Sequence, residues 1–392
     1  MESRIYLDNA ATSWPKPDQV YQAVDRYQRT SGAPAGRSGY REAADVGQVI
    51  HDLRWNLLQL LDAPPDTYDA LLAYSGTDAL NTLLLGLLRP GDRVVTTAAE
   101  HNSVLRPLRY LADERGVEVD VVPLAADGRL SLEAWEQALR EPTRLAAVTH
   151  ASNVTGVVQP IEAACRLAQA AGARVLIDAA QTVGQLPLSL RQVPADAVAA
   201  PGHKGLLGPL GTGVLWLSKD CQPHVLPLRW GGTGTSSESD RQPVEYPDRM
   251  EAGNANVPGL LGLAAGVEWL LAAGVREQGA HHRTLIEGLI AELGRLHGVR
   301  LYGADLNVER IGVVSLMVDG YEPQEVAASL ETAARIQVRA GLHCAPRMHA
   351  ALGTLTSGGT VRASVGPFTT RDEIDKLVEV VGALAAAGLD VA

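Results

Sequence analysis

Short apolar runs and longer segments of mixed polarity alternate along most of the chain. Between Tyr68 and Leu217 the apolar runs are Tyr68–Ala73, Arg93–Thr97, Val117–Val122, Leu145–His150, Val175–Ile177, Ala197–Ala200 and Gly213–Leu217. Runs this short and this continuously apolar predict strands buried on both faces. Helical patterns separate several of them, including Leu132–Leu139 and Ile161–Ala171. Such β–α alternation predicts one doubly wound, largely parallel sheet. Ahead of it, helices are expected from Pro17 to about Arg29 and from Ala43 to Leu61, with a Gly-, Pro- and Ser-rich loop over Ser31–Arg41 between them. Beyond Val257 the pattern changes to long Ala/Leu/Gly helices reaching about His297. Strands at Val299–Tyr302, Gly312–Val318 and Ile336–Arg339 and helices at Pro323–Leu330 and Arg371–Ala387 complete a smaller α+β unit.

Polar residues that follow the strands carry the candidate chemistry, because ligands of such sheets sit beyond the carboxyl ends of the strands. Gly76-Thr77, His101, Asn153, Asp178, Gln181 and Lys204 all fall there. Ser75-Gly76-Thr77-Asp78 joins a strand directly to a helix, a natural anion site; simple N-capping by Thr77 or Asp78 is the plainer reading. His101 is either a structural hydrogen-bonding group or a catalyst, and Asn153 either a turn former or a donor to a bound ring. Asp178 ends one run and Pro201-Gly202-His203-Lys204 ends the next. A Lys amine that can condense with an aldehyde, beside an Asp that can pair with a pyridinium nitrogen, is what pyridoxal 5'-phosphate (PLP) requires of a protein. A surface Lys in a Gly-rich turn is the alternative. Composition bears on that choice: only four of the 34 basic residues are lysines, Lys16, Lys204, Lys219 and Lys376. Arg cannot replace an amine nucleophile, since it is always charged.

Further along, Trp230-Gly231-Gly232-Thr233-Gly234-Thr235-Ser236-Ser237 is a flexible loop or an anion cradle of backbone N–H groups. Cys344, between Gly341 and Pro346, is a buried small hydrophobe or a nucleophile whose thiolate His343 helps to hold. Arg362 can pair with any acid or clamp a substrate carboxylate.

The net charge of −11 argues against nucleic acid as a partner. MESRIYLDNAATS lacks the basic and apolar regions of a signal peptide, and Val257–Val275 reads as a buried helix rather than a membrane span. Cys165, Cys221 and Cys344 are too few and too scattered for a disulfide framework or a zinc site, so a cytoplasmic protein with reduced thiols and no membrane contact is expected. No G-x-G-x-x-G or Walker pattern supports a nucleotide.

Taken together, the motifs resemble the class V, fold-type I PLP enzymes, and within them the cysteine desulfurase/selenocysteine lyase family. The resemblance runs from Tyr6-Leu7-Asp8-Asn9-Ala10-Ala11 through Ser75–Asn81, Glu100–Ser103, His150–Gly156, Asp178–Gln181, Gly202-His203-Lys204 and Gly231–Gly234 to Arg362-Ala363-Ser364. Arg339–Ala345 is similar to the segment bearing the persulfide-forming Cys in the group II (Suf-type) desulfurases. The resemblance implies an α/β fold whose large domain, residues 17–257, holds a mainly parallel seven-stranded sheet. It implies a smaller α+β domain from residues 1–16 and 258–392, carrying Cys344 and Arg362.

It also implies roles. Lys204 joins the cofactor's aldehyde and shuttles protons, Asp178 pairs with the pyridine nitrogen, and His101 stacks on the ring. Gln181 and Asn153 contact the ring hydroxyl or the substrate; Gly76, Thr77 and His203 hold the phosphate. Thr233 reaches the phosphate of the other subunit of a homodimer with shared sites. Arg362 binds the substrate carboxylate and Cys344 attacks its sulfur. The implied reaction turns L-cysteine, or L-selenocysteine, into L-alanine, with sulfur held on Cys344 for an acceptor protein serving, for example, iron–sulfur cluster assembly. Rivals are a selenocysteine lyase, another C–S lyase or an aminotransferase on the same fold, and a non-enzymatic binding partner. Two positions depart from the pattern. Pro201 stands where many relatives have a Ser or Thr that donates to phosphate, and Leu342-His343 where group II relatives often have His-His.

Overall fold

A computed structural model describes residues 4–35, 39–235, 238–303 and 305–389. Parts of the Ser31–Arg41 loop (36–38) and of the Trp230–Ser237 run (236 and 237) lie outside the described residues. The seven apolar runs form one sheet, in the order Tyr68–Ala73, Gly213–Ser218, Ala197–Pro201, Arg174–Asp178, Leu145–Thr149, Arg93–Thr97, Glu118–Val122. Gly213–Ser218 runs antiparallel to both neighbours; every other pairing is parallel. Leu145–Thr149, Ala197–Pro201 and Gly213–Ser218 are buried at every position, which is why they read as unbroken apolar runs. Helices cover both faces and give two cores, one around Leu57, Trp135, Ile177 and Trp216, the other around Leu83, Leu108, Leu176 and Leu215.

In the second unit the four-stranded sheet is antiparallel, in the order Arg339–Gly341, Thr360–Ser364, Val313–Val318, Val299–Tyr302. Val275–Leu293, Pro323–Ala334 and Arg371–Leu389 are its helices, and its core gathers Leu7, Leu289, Leu316, Leu330 and Leu377.

Two features differ from the sequence expectation, and one boundary is sharpened. The predicted strand Ile336–Arg339 is two strands that change partner at Val338: Ile336–Gln337 pairs in parallel with the N-terminal Ile5–Tyr6, while Arg339–Gly341 joins the small sheet. The expected helices after Val257 meet at Gly274, whose φ of +83° only glycine adopts without strain, and they bend by 81°. Pro346–Ala351 forms a short helix where none was expected, with Pro at its start. Helix Val257–Ala273 sends Leu260, Leu263, Val267 and Leu270 into the large unit's core. We therefore propose Gly274, rather than residue 257, as the point where the second unit begins. No single helix among the described residues is long and apolar enough to cross a membrane.

Candidate active site

Strand ends, helix starts and the small unit converge on a cavity of about 210 Å³. Gly76, Thr77, His101, Asn153, Asp178, Gln181, His203, Lys204 and Arg362 all line it; Thr233 and Cys344 do not. The parallel register sets part of this. Leu145–Thr149 and Arg174–Asp178 pair with Thr149 opposite Asp178, so both strands deliver polar side chains at one level.

Asp178 is buried, and its Oδ1 accepts from the Ala180 N–H at 2.9 Å. Burial raises its pKa, opposed by that hydrogen bond and by the charge of Lys204. Lys204 is partly exposed to the cavity, and its pKa falls to about 8, mainly through desolvation, with Arg362 and Arg339 adding to the shift and Asp178 opposing it. A substantial neutral fraction near physiological pH makes it a competent amine nucleophile and base.

Two helix starts line the cavity, at Gly76-Thr77 and at His101–Ser103. Ser75, not Thr77 or Asp78, caps the helix Gly76–Leu87, its Oγ accepting from the Asp78 N–H at 3.0 Å. That leaves the Thr77 hydroxyl free, and it pairs with Ser103 Oγ at 2.7 Å. His101 caps the helix Asn102–Arg115, its Nδ1 accepting from the Ser103 N–H at 3.0 Å, so it is a structural group and a wall of the cavity at once. Burial, then Lys204 and the arginines, lowers its pKa to about 4, so the ring is neutral. Burial does the same to His203. Pro201 packs its ring on Gly76: a Cβ there would come 3.0 Å from Pro201 Cδ.

Arg362 is 1% exposed and paired with Asp8 Oδ1 at 2.7 Å; its Nη1 donates to Asn153 O at 3.1 Å. Arg362 therefore has an acid partner and also a place in the cavity wall. Asn153 commits its amide N–H to the carbonyl of His343 at 2.7 Å.

Cys344 lies across the wall, in an adjoining open groove of about 560 Å³ that shares Thr77, His101 and Ser103 with the cavity. His343 and Cys344 both have left-handed backbones, φ +48° and +58°. Each such residue costs roughly 1–2 kcal/mol. Asn153 holds the first carbonyl of this turn and the Asn102 N–H the second, at 2.7 Å. The expected help of His343 to a thiolate does not arise. Its ring is buried, its Nε2 lies 3.1 Å from Thr360 O, and burial above all drives its pKa down to about 2. The cation at the thiol is Arg339, which lines the cavity and brings Nη2 to 3.8 Å from Cys344 Sγ.

Sequence reasoning did not single out Arg339, Ser103 or Glu100. Arg339 sits opposite Arg362 in the small sheet, a juxtaposition visible only once the strands pair. Ser103 had a signal: it follows His101 by two, the spacing of a cap. Glu100 is fully buried, accepting from Thr97 Oγ1 at 2.7 Å and the Thr149 N–H at 2.8 Å, while its Oε2 has no partner. Burial raises its pKa to about 8, and the charge of Asp178 adds to this.

Residues 5–377 match the aminotransferase class-V family. The chain belongs to that family. Among class-V relatives it is 35% identical to a probable cysteine desulfurase from Methanothermobacter thermautotrophicus, over 99% of this chain and 96% of that one. It is 32% identical to a cysteine desulfurase from Pectobacterium atrosepticum, over 95% and 91%. Two solved structures are similar. A cysteine desulfurase from Thermococcus onnurineus, in an apo structure, has a TM-score of 0.91 and 31% identity, covering 98% of this chain and 95% of that one. One from Escherichia coli has a TM-score of 0.86 and 28% identity, covering 99% and 95%.

Class-V enzymes of this kind depend on PLP, and the cavity fits it. A buried acid, an amine of lowered pKa, and a helix N-terminus with the Thr77 and Ser103 hydroxyls all line it. Gln181 Oε1 and His203 Nδ1 are buried without a protein partner, as groups awaiting a ligand would be.

Proposed function

We propose that this chain is a PLP-dependent cysteine desulfurase that converts L-cysteine to L-alanine and passes sulfur through Cys344. The reading is carried by Arg339, whose guanidinium lines the cavity and stands 3.8 Å from Cys344 Sγ, so that the thiol borders the place where a substrate's sulfur would lie. When bound, PLP supplies an electron sink for charge developing at the substrate Cα and weakens the Cβ–S bond.

In this reading Asp178 keeps the ring nitrogen protonated. Gly76, Thr77, Ser103 and His203 hold the phosphate, and His101 covers the ring face with a neutral imidazole. Gln181 offers Oε1 to the ring edge, since its Nε2 donates to Ala10 O at 3.1 Å. Arg362 receives the substrate carboxylate. Lys204 Nζ takes the Cα proton and returns a proton to the carbon skeleton. The Cys344 thiolate then attacks the substrate sulfur: an S–S bond forms, the Cβ–S bond breaks, and its electron pair stays with the carbon skeleton, which takes up a proton and leaves as alanine. Cys344 is left as a persulfide, and its open groove is where a sulfur-acceptor protein would approach.

The compact loop between Arg339 and the helix Pro346–Ala351 supports a group II type of desulfurase. In this reading Thr233, which lies outside this cavity, serves the cavity of a second subunit in a homodimer.

The test is to supply L-cysteine to the purified protein and to measure alanine and sulfide, with and without reductant. Cys344→Ala should retain PLP and lose sulfur transfer. A Cys344→Ala protein that releases sulfur as fast as the parent would falsify the persulfide step.

A further inference from the structure

Of the N-terminal motif Asp8-Asn9-Ala10-Ala11-Thr12 only the Ala10 carbonyl has entered the chemistry above, yet the motif is tied to both ends of the site. Asp8 Oδ1 accepts from Arg362 Nη2 at 2.7 Å. Asn9 Nδ2 donates to Ser364 O at 3.2 Å, and the Ala10 N–H to Ser364 Oγ at 2.9 Å. A few residues on, four donors converge on one carbonyl, that of His203, directly before Lys204. They are the Ser13 N–H at 3.0 Å, Ser13 Oγ at 3.1 Å, Thr12 Oγ1 at 3.2 Å and Lys16 Nζ at 3.3 Å. Asp8–Lys16 is thus a strap from the cation in the small unit to the amine in the large one.

Asp8 does not line the cavity; it meets Arg362 from outside. An acid inside would compete with an incoming carboxylate, whereas one outside leaves the inner edge of the fork open. Arg is long and has many rotamers, and its planar fork is useful to a bidentate ligand only when its plane is fixed. Asp8 and the Asn153 carbonyl are the two acceptors that fix it, while Nε has no protein partner. We propose that Asp8 is a positioning residue for Arg362: from outside the cavity it sets the guanidinium to receive an amino-acid carboxylate, and the strap Asn9–Lys16 holds it in register with Lys204. The proposal rests on the amino-acid substrate proposed above.

The test uses the PLP-loaded full chain and two amines, L-alanine, which carries a carboxylate, and ethylamine, which does not. Dissociation constants are read from the change in visible absorbance on titration. Asp8→Ala should weaken L-alanine about 10-fold or more, the scale expected of a misplaced binding group, and leave ethylamine unchanged. Asp8→Asn, which keeps an oxygen acceptor, should recover most of the loss. In an Arg362→Ala background, Asp8→Ala should add nothing. If Asp8→Ala does not fold, Asp8→Ser, too short to reach the guanidinium, takes its place in every arm. Equal weakening of both amines, unchanged L-alanine binding, or a full additional loss in the Arg362→Ala background overturns the proposal. If Arg362→Ala itself leaves L-alanine favoured over ethylamine, the carboxylate role of Arg362 fails, and the role of Asp8 with it.

Discussion

Lys204 should make the cofactor-free protein less stable below pH 8 than it is at high pH. Its amine is charged in the unfolded chain up to about pH 10.5, but in the fold its pKa is about 8, because desolvation and two guanidiniums outweigh the attraction of Asp178. Below about pH 8 both states carry the proton, and the cost of holding a charge in the cavity is fully present. Between about 8 and 10.5 the unfolded chain binds a proton that the native state does not, so stability rises with pH. Above that window neither state is charged and the cost is gone. The shift corresponds to about 3 kcal/mol, at 1.36 kcal/mol per unit. Lys204→Met removes the charge and keeps the length. In urea unfolding without PLP, the variant should be more stable than the parent at pH 7 by a few kcal/mol, and the gap should close towards pH 10. Comparing the two proteins at each pH cancels Lys16 and the tyrosines. A gap equal at both pH values, or one that widens with pH, would refute the reasoning.

Glu100 should show the opposite trend: with a folded pKa near 8 its burial costs nothing below about pH 4.5 and progressively more up to pH 8, so the advantage of Glu100→Gln in urea midpoint should grow across that range. Gly184→Ala should lower stability by about 3 kcal/mol and loosen PLP, because φ is +85° there and the new Cβ would strike the carbonyl of Gly205, next to Lys204; absorbance of the bound cofactor against free PLP measures it. Ser103→Ala should weaken PLP binding several-fold while leaving sulfur transfer at saturating PLP near the parent rate, since the serine supports Thr77 and His101 at the proposed phosphate end. An unchanged cofactor dissociation constant would exclude Ser103 from that end.

The strands of the large sheet were legible because full burial on both faces leaves an unmistakable run of apolar residues, as in Ala197–Ala200. Site residues that follow strands, from Gly76 to Lys204, were legible for the same reason, since the sheet decides where its ends point. What escaped depended on contacts between distant segments. Val338 is one apolar position in the ordinary alternation Ile336-Gln337-Val338-Arg339, so nothing local marks it as the point where a strand changes partner. Arg339 looked like an ordinary basic residue until antiparallel pairing set it opposite Arg362. His343 looked like a helper of Cys344 because it adjoins it in sequence, but a left-handed turn sends its ring towards Thr360 instead. The exact point of division at Gly274 was not legible, because a glycine inside a helical pattern is often tolerated and only the packing of the two helices on different cores fixes it.

The pairing of Asp8 with Arg362 also orders events during synthesis. The two residues are 354 positions apart, and the short strand before Asp8 pairs with residues 336 and 337. The cavity's inner wall, from Gly76 to Lys204, can be complete while the ribosome is still making the second unit. The wall that would admit a carboxylate cannot exist until Arg362 has emerged and Asp8, made 354 positions earlier, has met it. A nascent chain could therefore take up PLP before it could select a substrate.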